Sequence, residues 1–127
     1  MHLIIEAEDR VAITRGLKGL QVRFARNLNK LWGRKGRVSA DRYHDHVLRT
    51  PREVHNAIAY VLNNSRKHGQ TLADCPDPYS SGQWFPAWAD RSATPTPDVS
   101  PISPPGTWLG THGWRIHGPI TPFSTVA

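Results

Sequence analysis

Tyr60 and Asn64 stand four residues apart in the segment TPREVHNAIAYVLNNSRKHG, residues 50–69. On a helix that spacing makes neighbours of a phenol and an amide, on a stripe that also carries Asn56 and Lys67. Such a group has the chemistry of a nucleophile working beside a metal ion or a phosphate. A phenol has a pKa near 10, so at neutral pH it needs activation to attack anything. The same spacing also describes a half-buried tyrosine beside solvated polar side chains, so the rest of the chain has to decide. A second group is His44-Asp45-His46, whose two imidazoles would share one face if the segment were a strand. His55, His68, His112 and His117 have no evident partner in the sequence. The single cysteine, Cys75, excludes an internal disulfide framework and a cysteine-based zinc site.

The elements that must position these residues are legible in part. Thr50, Pro51 and Glu53 form a helix start with a capping box, and Gly69 is a stop signal after a basic last turn. Val54, Ala57, Ile58, Val61 and Leu62 make the apolar face of this helix, expected over 50–68. A longer amphipathic helix is expected over 10–32, with Leu17, Leu20, Phe24, Leu28 and Leu31 on one face and cations on the others. Gly16 and Gly19 weaken its first half by about 1 kcal/mol each relative to alanine. Gly33 to Gly36 is a basic turn. Residues 2–8, HLIIEAE, read as a short apolar strand, and residues 37–49 as extended structure with Val38, Tyr43, Val47 and Leu48 facing inward. The order strand, helix, strand, helix predicts an α/β domain of the ferredoxin-like, split βαβ type, incomplete at its N-terminus because two strands cannot close a stable sheet.

Charge and composition divide the chain near Gly69. Residues 1–69 hold 14 Lys and Arg against 6 Asp and Glu, while residues 70–127 hold 2 against 4. The basic charge belongs to the patterned half and predicts a polyanionic partner such as nucleic acid. The remainder, 70–127, carries ten of the eleven prolines and four of the five tryptophans. Proline at that density opposes helices and central strands, so an irregular, partly disordered extension is expected, with Thr94–Gly106 disordered or extended and the tryptophans docking as short patches. No apolar run approaches a membrane span and no signal-peptide pattern is evident, which makes a cytoplasmic protein the simplest expectation.

Taken in order, HLIIEAED, GLKGLQVRFARNLNKLWGRKGRV, DRYHDHVLRTPREV and AIAYVLNNSRKHG resemble the single-tyrosine HUH transposases of insertion sequences, in particular the REP-associated tyrosine transposases. The resemblance covers about 70 residues. DPYSSGQWF and TWLGTHGWRIHG resemble, more weakly, C-terminal extensions carried by some members. In that family a His-hydrophobic-His motif on the central strand binds a divalent metal. A tyrosine on a later helix attacks a phosphodiester of single-stranded DNA, and a glutamine or asparagine one turn on is the third ligand.

The resemblance therefore implies Tyr60 as nucleophile and His2 and Asn64 as ligands to Mg²⁺ or Mn²⁺, with no counterpart for the first histidine. His44-Asp45-His46 departs from the motif in its acidic middle residue and its position. The implied DNA contacts are Arg15, Lys18, Arg23, Arg26, Lys30, Arg34, Lys35 and Arg37, on single-stranded or hairpin DNA, with a homodimer among the expected partners. Intact members cleave and rejoin DNA through a phosphotyrosine during transposition, and loss of one imidazole is expected to impair that step here. The contrasting expectations are a non-catalytic nucleic-acid-binding remnant or regulator, and an interaction protein that docks through its Trp/Pro-rich tail.

Overall fold

The computed structural model describes residues 1–39, 43–68, 76–89 and 99–122. They fall into two compact units, Ile5–Val47 and the combination of Met1–Ile4 with Leu48–Ala127. Gly69, Cys75, residues 40–42 of the expected second strand and residues 94–98 of the Pro/Ser/Thr-rich stretch lie outside the described residues.

The first unit is built on one helix, α1, spanning Arg10–Leu31. Asp9 starts it: the Ala12 N–H donates to Asp9 Oδ1 at 2.7 Å, satisfying one of the free donors of the first turn. Gly33, at φ 61, lets the backbone leave the helix in the left-handed conformation that a glycine adopts at least cost. Asn29 Nδ2 then donates to the Gly36 carbonyl at 2.8 Å, folding the turn back on the helix end. No residue of α1 is buried.

The second unit has α2, Pro51–Leu62, as its frame. Its capping box forms as expected: the Glu53 N–H donates to Thr50 Oγ1 at 3.2 Å, and the Thr50 and Arg49 N–H groups donate to Glu53 Oε2 at 2.9 and 2.7 Å. Against α2 lie the single-turn helix Trp108–Thr111 and a 3-10 segment, Gly113–His117, while a 3-10 turn, Ser81–Trp84, leads into Phe85 and Trp88 of the same core. The core is small: Val54, Ala59, Leu62, Trp88, Trp114 and Ile120, of which Ile120 is 0% exposed. Leu48, Ile58, Phe85, Ala87 and Leu109 pack around it. Ala59, outside the expected apolar stripe, is buried because the C-terminal segment covers a further strip of α2. Trp88 and Trp114 keep their indole N–H groups satisfied while buried, donating to the carbonyls of Gly82 at 2.8 Å and Gly110 at 3.0 Å.

The ferredoxin-like α/β expectation is overturned. Among the described residues there are helices and turns but no strand, and the only β-type pairing is an isolated parallel bridge between Trp88 and Ile120. Residues 2–8 form no strand, and Leu3 is 49% exposed. The described part of 37–49 forms no ladder either. The physical reason lies in what a strand needs. Extended backbone gains its hydrogen bonds only from a neighbour, and an apolar run next to a charged, imperfectly alternating one offers no matching face. The helix expected over 50–68 is also divided. Asn63 closes α2, and a single turn, α3, follows at Asn64–Lys67. Asn63 turns its amide away from the helix: Nδ2 donates to the Thr121 carbonyl at 3.1 Å, a tertiary bond that a helix-interior leucine or alanine would not make.

Gly113 is the tightest backbone position in this unit. A Cβ there would sit 2.6 Å from Trp108 Cζ3, closer than two carbons can approach. Gly113→Ala is expected to destabilise the unit by about 1–2 kcal/mol, since the Trp108 ring must swing outward to make room. Urea denaturation measures it, and the same substitution made on a Trp108→Ala background should cost much less.

Candidate functional site

Two groups of residues have the chemistry for a site, one in each unit. In the second unit His2 and Tyr60 come together despite their separation in sequence. Their rings meet edge to face with centroids 4.9 Å apart and planes at 86°. That is the arrangement favoured by aromatic quadrupoles, worth about 0.5–1.5 kcal/mol beyond the area it covers. Tyr60 is half-buried on α2, and His2 is exposed on the N-terminal segment. Asn64 opens α3 one turn beyond Tyr60, and its Oδ1 is buried with no hydrogen-bond partner. A buried carbonyl oxygen without a donor is costly, so it has unused capacity for a proton donor or a cation.

The divalent metal implied by the resemblance can be tested on this donor set. His2 and Asn64 would supply two neutral ligands and no negative charge. Mg²⁺ and Mn²⁺ favour oxygen ligands, carboxylates above all, in near-octahedral geometry. No group of three or more His, Cys, Asp or Glu side chains among the described residues is arranged to hold a metal ion. His44 and His46 do not alter this, because the shared face they would need is that of a strand, which does not form, and both lie exposed. The residues present do not fit a resident Mg²⁺ or Mn²⁺ ion.

The second group is cationic and belongs to the first unit. From Arg10 to Arg37 the sequence has nine Lys and Arg and no Asp or Glu. Arg15, Lys18, Arg23, Arg26, Lys30, Arg34, Lys35 and Arg37 are all exposed. At about 100° per residue, Arg15, Arg23, Arg26 and Lys30 fall within an arc of about 80° that spans about 22 Å of α1. Arg34, Lys35 and Arg37 follow on the turn bounded by Gly33 and Gly36, which Arg34 braces by donating from Nη2 to the Arg37 carbonyl at 3.3 Å.

Trp32, at the C-terminal end of α1, is 57% exposed beside that turn. Sequence reasoning passed over it as a functional residue. The signal was an aromatic set directly between Lys30 and Arg34, the interleaving of rings and cations that suits stacked bases between phosphates.

No protein-family model, no curated protein and no solved structure matches this chain. Among the described residues, no helix is long and apolar enough to cross a membrane.

Proposed function

We propose that this chain is a transposase-like protein that binds single-stranded or hairpin DNA in the cytoplasm, and that it binds without efficient cleavage. The observation that carries the reading is the uninterrupted cationic run of α1 and its turn, exposed along its length and ending beside an exposed Trp32. Phosphates meet Arg15, Arg23, Arg26 and Lys30 along the helix, and an unpaired base stacks on the Trp32 indole. The His2–Tyr60 ring contact and the unpartnered Asn64 oxygen support the transposase-like part of the reading. This donor set is too poor in charge to activate a phenol against a phosphodiester.

Anisotropy titrations with labelled single-stranded and hairpin oligonucleotides test binding. Reversing two charges, in Arg23→Glu with Arg26→Glu, should weaken binding at least about 10-fold on every sequence. Trp32→Ala should weaken single-stranded binding without changing its salt dependence. Unchanged affinity after the double charge reversal would end the assignment of this face. Denaturing gels run with Mg²⁺ or Mn²⁺ address cleavage: a covalent DNA adduct formed by the chain and lost in Tyr60→Phe would replace the binding-only reading with a nuclease.

A further inference from the structure

His55 and His117, far apart in the sequence, come together in the second unit. Their ring centroids lie 6.1 Å apart, with the planes at 67°. Both positions are fixed by the fold. His55 stands in the first half of α2, half-buried, and the Trp114 indole lies 6.3 Å from its ring. His117 is exposed at the end of the Gly113–His117 segment, where Gly118, at φ 91, turns the chain away. His55 Nε2 is buried and has no hydrogen-bond partner. Trp114 does not supply one, because its Nε1 donates to the Gly110 carbonyl. A buried polar nitrogen left alone is costly, and folded proteins rarely keep one unless an ion or a water completes it.

We propose that His55 and His117 together bind one Zn²⁺ ion, with water completing its coordination. Imidazole nitrogen suits Zn²⁺, whereas Mg²⁺ and Mn²⁺ take oxygen. The spacing fits as well. With Zn–N bonds of about 2.0–2.1 Å, two imidazoles on one tetrahedral ion have their centroids about 5.2 Å apart. The observed 6.1 Å is about 0.9 Å longer, a difference that side-chain rotation closes. His55 is the anchored ligand, and the exposed His117 gives the ion its entry. Arg115, the cation nearest to His117 in sequence, is tied to other groups. Its guanidinium lies over the Trp114 ring at 5.0 Å, and its Nε donates to the Thr111 carbonyl at 3.1 Å.

Such an ion joins α2 to the C-terminal segment beside a core of six buried residues. Domains with so little core gain most from a cross-link of this kind, and an ion held only by the folded unit stabilises it by mass action. The pair shares no residue with the cationic face of α1, so it stands or falls independently of DNA binding.

Zn²⁺ titration of the full chain tests the site, in a His44→Ala, His46→Ala and Cys75→Ser background that removes competing ligands. Calorimetry reads binding and thermal unfolding reads stability. Saturating Zn²⁺ should raise the unfolding midpoint by at least about 4 °C. His117→Ala, a change at an exposed side chain, should weaken Zn²⁺ binding at least about 10-fold and abolish the rise. His55→Phe keeps a ring against Trp114 and should do the same, whereas His112→Ala should change neither. The metal-free midpoint of each variant shows that it folds. Nitrogen-15 spectra of the imidazoles should show His55 and His117 shifting together on addition of Zn²⁺. A midpoint that Zn²⁺ leaves unmoved, or a rise that survives His117→Ala, overturns the proposal.

Discussion

Raising salt from 50 to 200 mM should lower the affinity of this chain for single-stranded DNA about 300-fold. The figure follows from counterion release. Each phosphate neutralised on a single strand contributes about −0.7 to the slope of log affinity against log salt. With six of the eight candidate cations engaged, the slope is about −4, and a fourfold change in salt multiplies accordingly. The chain's net charge of +6 alone would not produce this, because cations scattered over a surface engage few phosphates at once. The eight candidate residues lie on one helix and the turn that follows it, where several phosphates of one strand can be met together. Anisotropy titrations at four or five salt concentrations give the slope. A value shallower than −1 would mean that the cationic face is not the binding surface, and charge reversal at Arg23 and Arg26 would then be silent as well.

Trp114→Ala should destabilise the second unit by about 3–5 kcal/mol, the range for removing a large aromatic from a packed core. Trp114 is 3% exposed and is one of six buried residues that hold α2 to the C-terminal segments. Its ring lies 5.8 Å from that of Phe85 and 6.3 Å from that of His55, and its Nε1 donates to the Gly110 carbonyl. The substitution leaves a cavity and also removes the donor to that carbonyl. With net stabilities of about 5–15 kcal/mol for whole domains, a core this small loses much of its margin. Trp108→Ala is the control: its ring is 59% exposed and should cost less than about 1 kcal/mol. Urea titrations followed by circular dichroism compare the two. Equal effects would mean that the C-terminal segments do not share a core with α2.

How much of this was legible in the sequence depends on whether a signal was local. Thr50 was enough to start α2, and the spacing of three and four along Leu17 to Leu31 fixed the first helix to within a residue. A capping box or a helical stripe is decided by residues a few positions apart. A strand is not. His2 to Glu8 has the apolar composition of a strand, yet pairing depends on a neighbour whose alternation matches, and Val38 to Leu48 supplies none. The family resemblance reinforced the error, since it carried a sheet that these residues do not form.

The proximity of His2 to Tyr60 came from the resemblance and not from any local rule. The break at Asn63 was hidden for the opposite reason. Asparagine is only moderately unfavourable in a helix, and what ends α2 is a side-chain bond to Thr121, 58 positions away. Trp32 was overlooked because a tryptophan at the end of an apolar stripe reads as packing until its exposure is known.

The Asn63–Thr121 bond also bears on when this protein can fold during synthesis. α2 can form as soon as its own residues leave the ribosome, because its caps are local. Its core partners Trp88, Trp114 and Ile120 are translated 26 to 66 residues after Leu62 and Val54. Contacts between residues so far apart in sequence are slow to close. A nascent chain therefore shows Val54, Ile58 and Leu62 to solvent until Trp88, Trp114 and Ile120 have emerged, with the stripe of α1 already displayed ahead of them. Until then two apolar helix faces are exposed together. Translation pauses between Gly69 and Gly113 would lengthen that window and favour capture by holdase chaperones or association between neighbouring nascent chains.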